Sequence, residues 1–161
     1  MQRLFIFLAL LLWLSGPVTA QVNIGFGGVN YDARTPIEVT ADNLTVDQST
    51  GEAVFSGNVI VVQGDLRMAA GAVRVVYAGQ GGTQEVREVL ATGGVLVTRG
   101  SDAAEGGQAR FDVNSSLLTL SGNVLVTQGA TAIAGDSMVV NMRTGSGSVD
   151  GRVRTVLGGG D

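Results

Sequence analysis

The chain has no histidine, no cysteine and no lysine, so each of its ten basic residues is arginine. Without histidine or cysteine there is no Ser-His-Asp triad, no thiol nucleophile, no imidazole base and no zinc or haem site of the usual kind. No disulfide can form, and no lipid can be attached to a cysteine. The arginines are scattered and face 14 acids, leaving a formal charge of -4, which argues against nucleic acid as the main partner. Proline occurs twice and tryptophan once. At 45% hydrophobic and 15% charged, the chain is too apolar to be disordered.

Glycine is what the chain has in quantity, at 25 residues, well above the usual ~7%. Such a load is unfavourable in regular strands but suits a curved, turn-rich sheet.

Residues 1–20 form a unit of their own. Arg3 precedes an uncharged run from Leu4 to Leu14, Ser15-Gly16-Pro17 breaks the run, and Val18-Thr19-Ala20 offers small residues for cleavage. This is the three-part pattern of a secretory signal peptide, expected to be cut after Ala20. Eleven residues of helix span only about 16 Å, roughly half of a bilayer's hydrocarbon core. Without cysteine, the exported chain relies on its core for stability, which one domain of this size can supply. Residues 21–35, with Gly25-Phe26-Gly27-Gly28, show no period and are expected to form a flexible arm; residues 158–161 form a loose tail.

From Pro36 the period is two. Ile37-Glu38-Val39-Thr40 alternates apolar with polar, as do Leu66-Arg67-Met68 and Phe111-Asp112-Val113. This is the pattern of half-buried strands, and no window of ten residues shows a helical stripe. Turn signals recur at Ser49-Thr50-Gly51, Gln63-Gly64-Asp65, Gly79-Gln80-Gly81-Gly82, Gly93-Gly94, Gly106-Gly107, Gln128-Gly129 and Gly145-Ser146-Gly147. They predict an all-β fold of roughly fifteen short strands.

The segment Ser56-Gly57-Asn58-Val59-Ile60-Val61-Val62-Gln63-Gly64 recurs as Ser121-Gly122-Asn123-Val124-Leu125-Val126-Thr127-Gln128-Gly129, with a weaker copy at Thr92–Gly100. Repeats of this size mean stacked units sharing one core. Neither end of the stack, at Pro36 or after Val156-Leu157, carries an obvious cap. Uncapped edges invite strand addition by another chain.

Chemistry is scarce. Glu85 with Glu88, and Asp102 with Glu105, are the candidate carboxylate pairs, but both lie in polar stretches that suit solvated turns better than a catalytic cleft. There is no calcium-loop sequence. Gly79-Gln80-Gly81-Gly82 lacks the spacing, helix and lysine of a phosphate loop. Asn43-Leu44-Thr45 and Asn114-Ser115-Ser116 match the glycosylation sequon but fit strand and turn positions.

An apolar inward face remains. It comprises Ile37, Val39, Leu44 and Val46; Phe55, Val59 and Val61; Leu66, Met68, Val73 and Val75; Val95 and Val97; Phe111, Val113, Leu118 and Leu120; Val124 and Val126; Ile133, Met138, Val140 and Met142. Only two are aromatic. A groove admitting aliphatic chains favours this composition, while an ordinary packed core is the alternative.

Pro36-Ile37-Glu38-Val39-Thr40-Ala41-Asp42, followed by Phe55–Gly64 and Leu120–Gly129, resembles the LptA/OstA-like periplasmic lipopolysaccharide-transport family. The resemblance runs from Pro36 to about Leu157. It implies a twisted, V-shaped β-jellyroll, open at both ends, that holds lipid A acyl chains in its interior without catalysis or cofactor. It also implies partners joined by edge-strand addition: an inner-membrane LptC-like subunit, an outer-membrane LptD-like component and a head-to-tail copy of itself. Arginine alone could meet lipid phosphates. The run at Leu4–Leu14 is too short for the membrane helix of an LptC-like chain, residues 21–35 have no counterpart in the motif, and no large barrel follows. A structural or polysaccharide-binding β-stack with a dry core is the competing expectation, weakened by the few aromatics available to stack on sugars.

Overall fold

A computed structural model describes residues 22–23, 34–78 and 85–158. The signal segment 1–20, most of the expected arm, the Gly79–Gly82 turn and residues 159–161 lie outside the described residues. Among the described residues eleven strands form: β1 (Val22–Asn23), β2 (Ile37–Thr40), β3 (Asn43–Asp47), β4 (Glu52–Gln63), β5 (Leu66–Ala78), β6 (Glu85–Arg99), β7 (Asp102–Asp112), β8 (Leu117–Gln128), β9 (Thr131–Asn141), β10 (Ser146–Asp150) and β11 (Arg154–Leu157). The fold is all-β, and no described residue is helical. All strands join one antiparallel sheet in the order β1-β10-β9-β8-β7-β6-β5-β4-β2, with β3 also on β4 and β11 also on β9.

The strands are fewer and longer than the expected fifteen, and the reason is local. Gly93-Gly94 and Gly106-Gly107 are not turns: they sit in the middle of β6 and β7. Gly57-Asn58 and Gly122-Asn123 likewise lie within β4 and β8. The register shifts at each of these places, between Ser56 and Val59, between Thr92 and Val95, between Glu105 and Gln108, and between Ser121 and Val124. In β4, Gly57 and Asn58 oppose the single residue Gly71 of β5. That extra residue is a β-bulge, which bends the strand and increases its twist. Gly57 (φ 79) and Asn58 (φ 47) adopt the left-handed conformation that the bend requires, which glycine and asparagine tolerate best. Backbones approach closely along this line: a Cβ on Gly71 would lie 3.2 Å from the Cα of Gly93.

The bulges alternate. β4, β6 and β8 each carry the extra residue, and β5, β7 and β9 between them do not. At the two edges the bend breaks the strand in two. β2 and β3 are the halves of one edge strand, interrupted at Ala41-Asp42, and β10 and β11 the halves of the other, interrupted at Gly151–Val153. The bend line therefore crosses the whole sheet and folds one half toward the other.

Between the halves lies the core. Val59, Val73, Val97, Leu120, Val124, Val126, Met138, Val140 and Met142 have their side chains fully buried. Residues on either side of the bend keep or change parity according to the bulge. Leu66 and Met68 face inward at even numbers, whereas Val73 and Val75 do so at odd ones, because β5 bends at Ala70-Gly71 without an extra residue.

Four of the expected inward residues, Ile37, Leu44, Val46 and Val113, are exposed rather than buried. Leu44 and Val46 pair with Phe55 and Ala53 and so lie on the inner side of the sheet, yet they are 56% and 59% exposed. β3 is an edge strand, and among the described residues β4 is the only strand beside it. Val113 is 37% exposed, because β7 ends at Asp112 and its N–H then bonds to the Arg87 carbonyl.

Candidate functional site: an apolar cavity at one end of the folded sheet

The inner faces of the two halves do not meet equally along the stack. Toward β7–β9 they are packed shut. Toward the β2–β3 edge they separate around a cavity of about 460 Å³, within the ~300–1,000 Å³ range of small-ligand sites. Val39, Val61 and Met68 line it from one half; Phe55, Val73, Val75 and Phe111 line it from the other. Ile37, more than half exposed, stands where the cavity reaches the edge.

Of the expected inward residues, the cavity gathers Ile37, Val39, Phe55, Val61, Leu66, Met68, Val73, Val75, Val97, Phe111, Leu118 and Met142. A second group, Val59, Val95, Leu120, Val124, Val126, Ile133, Met138 and Val140, belongs instead to the buried cluster and does not line the cavity. The exposed Leu44, Val46 and Val113 belong to neither. Gln63, Tyr77, Val86, Val89, Ala91 and Ala109 also line the cavity. Tyr77 continues the odd-numbered row of Val73 and Val75. Val86 and Val89 fall out of step because the register shifts between Val76 and Tyr77.

Gln63 donates to the Thr35 carbonyl at 3.1 Å. In register with Leu66 stands Arg99, whose side chain is 9% exposed and whose Nε donates to Asp65 at 2.9 Å. Asp102 is in register with Arg99 and accepts from Gln128 at 3.4 Å. Gln63 is thus the amide in an otherwise largely apolar lining, and the Arg99–Asp65 pair stands next to Leu66 at that end.

Outside the cavity, the charged residues clasp the bend and the turns. Asp42 accepts from Asn58 Nδ2 at 2.8 Å, and its N–H bonds to the Gly57 carbonyl. The other end of the sheet repeats this: the Asp136 N–H bonds to the Gly151 carbonyl, and Arg152 Nη2 donates to the carboxylate at 2.7 Å. The hydrogen bond from Arg152 holds the Asp136 carboxyl below the usual carboxylate range. Hydrogen bonds from Ser49 to Asp47, and from Ser115 to Asp112, do the same in two turns. Glu88 pairs with Arg110 across β6 and β7. Among the described residues no group of three or more His, Cys, Asp or Glu could hold a metal ion, and no helix is long and apolar enough to cross a membrane.

A single antiparallel sheet, bent along a line of alternating bulges around an apolar interior, defines a class of open, jellyroll-like β proteins. Residues 38–146 match the family model described as LptA/(LptD N-terminal domain) LPS transport protein, and the chain belongs to that family. It is a lipopolysaccharide-transport family. The fold superposes with a TM-score of 0.68 on LptH, the LptA-homologous periplasmic component of the lipopolysaccharide transport device of Pseudomonas aeruginosa. That match covers 78% of this chain and 96% of LptH at 19% identity. An uncharacterized protein of Rhizobium meliloti (strain 1021) is 27% identical over 139 residues, 81% of this chain and 75% of its own length.

Proposed function

We propose that this chain is a non-catalytic periplasmic bridge protein. It holds acyl chains of lipopolysaccharide in the cavity between β2–β6 and the facing inner rows. It passes the lipid from an inner-membrane, LptC-like subunit toward an outer-membrane, LptD-like component. The observation that carries this reading is the cavity itself, lined almost wholly by apolar side chains, with Gln63 among them and Ile37 and Val39 of the edge strand β2 on its wall. Aliphatic chains bind there by burial, at about 25 cal/mol per Å² of apolar surface, and the polar end of the lipid meets Gln63 and the Arg99–Asp65 pair. The family and the expected signal peptide support a periplasmic location.

Edge-strand joining is supported by the alternation of the bulges. The β10–β11 edge is of the bulged type, with three residues, Gly151–Val153, opposite Gly135 and Asp136. The β2–β3 edge is of the plain type, with Ala41 and Asp42 opposite Gly57–Val59. An antiparallel partner bringing a plain edge to β10–β11 continues both the alternation and the bend, so a related fold or a second copy fits either end.

The test is a photo-reactive residue at Val61, which lines the cavity, against one at Thr40, exposed and one residue out of phase with Val39. In cells that make lipopolysaccharide, adducts are expected at Val61 and not at Thr40. Folded, exported protein without an adduct at Val61 overturns the reading in favour of a scaffold with an unused cavity.

A further inference from the structure

The β10 edge is not bare. Val22 pairs with Gly147 and Asn23 with Ser146, placing β1 on the side of β10 that faces away from β9. The first described residues of the chain thus sit at the opposite end of the sheet from β2, the strand that follows them. We infer that β1 is a self-cap. It occupies the β10 edge in the free chain and is displaced when a partner adds an edge strand there. This inference rests on the edge-joining part of the function proposed above.

The connection can be made within one chain. From Asn23 to Ile37 there are fourteen residue steps, which reach about 46 Å at ~3.3 Å each. The path from β1 to β2 crosses eight strand spacings, about 38 Å at ~4.8 Å each. A strand supplied in cis also needs no second molecule, so it returns whenever the partner leaves.

The cap is built to yield. Among the described residues it pairs with Ser146 and Gly147, and Ser148–Asp150 and β11 carry no further strand on that side. An incoming strand can therefore first pair beside β11, where Val153, Val156 and Leu157 are exposed. It then advances along β10 and replaces the Val22–Gly147 and Asn23–Ser146 pairs. β1 blunts the edge against indiscriminate pairing, and a strand matched along both halves of the bend offers the continuous ladder that displaces it. Specificity for a partner with a plain-type edge follows, since any other strand meets the Gly151–Val153 bulge out of register.

The chain has no cysteine, so an engineered pair is unambiguous. Asn23→Cys with Ser146→Cys joins two directly paired positions, and Val22→Pro with Asn23→Pro removes both backbone donors of β1. The probe is a labelled synthetic peptide of residues 36–48, which carries the plain-type edge strand. Oxidation of the cysteine variant is expected to give an intramolecular disulfide in the monomer and to abolish peptide binding, with reduction restoring it. The proline variant is expected to bind the peptide about tenfold more tightly than the unaltered chain. Disulfide-linked dimers only, equal binding by the locked, unaltered and uncapped proteins, or no binding by any of them, each overturns the cap. Lipopolysaccharide binding is measured on the same samples. Normal lipid binding with no effect on the peptide overturns the cap alone, whereas lost lipid binding with the peptide effect intact overturns the cavity reading alone.

Discussion

Gly57 shows how much of the architecture rests on single residues. Its φ of 79° lies in the left-handed region, and a Cβ there would come within 2.5 Å of the Asp42 carboxylate, the group that accepts from Asn58. Gly57→Ala therefore strains the backbone and breaks the clasp of the β2–β3 edge onto β4. A loss of about 1–3 kcal/mol is expected in urea unfolding, whereas Gly100→Ala, with open space around its Cβ, carries only the backbone part of that loss. The clasp at the other end titrates. Asp136 is held below its ordinary range by Arg152, as Asp47 and Asp112 are by neighbouring serines. A depressed folded pKa contributes stability that is complete above the unfolded value, ~3.9 for aspartate, and is lost as pH falls through the folded value. Urea midpoints are expected to hold level from neutral pH down to the carboxylate range and then to fall. Asp136→Asn should make that acid slope shallower; an unchanged slope would remove Asp136 from the set of groups responsible.

The strands show what the sequence made legible and what it concealed. Period two announced β structure, and the 56–64 and 121–129 copies marked β4 and β8 as equivalent. The inward residues Leu66, Met68, Val73 and Val75 even carried the change of parity across the β5 bend. What the residue pattern concealed was whether glycine pairs end a strand or bend it. Gly93 and Gly94 in mid-strand take the same left-handed backbone as Gly64 in a turn, so the two look alike in sequence; only pairing with neighbours decides. Burial was concealed for a related reason. Leu120 and Leu44 alternate identically, but β8 has strands on both sides while β3 has one, so the first is buried and the second exposed. The two should differ on truncation. Leu120→Ala is expected to cost about 2–5 kcal/mol through lost contacts and a cavity, and Leu44→Ala only about 0.5 kcal/mol. Thermal or urea unfolding reads both, and equal losses would mean that the β3 edge is covered in solution.

Across the whole molecule the interior is asymmetric, and this bears on how lipid could move through it. Residues such as Val61 and Met68 border the cavity, while Val126, Ile133, Met138 and Val140, on equivalent inner rows farther along, are buried in contact with one another. The free chain thus offers space at the β2–β3 end and a closed seam toward β9. On the function proposed above, transit to the β10–β11 end requires the two halves to part along that seam, exchanging side-chain contacts for lipid contacts of similar apolar character. Such an exchange is nearly balanced for burial, because acyl chains replace the surface that opening would expose to water. Photo-reactive residues at Val61 and Val126 separate the stages. With purified chain and lipopolysaccharide alone, adducts are expected at Val61 and not at Val126. Adding a partner that docks on the β10–β11 edge should bring out the Val126 adduct, since strand addition there holds the outer strands of the seam in the register of a longer, open groove. Equal adducts at both positions in the isolated chain would mean that lipid alone opens the seam, and the partner would then serve only to extend the path.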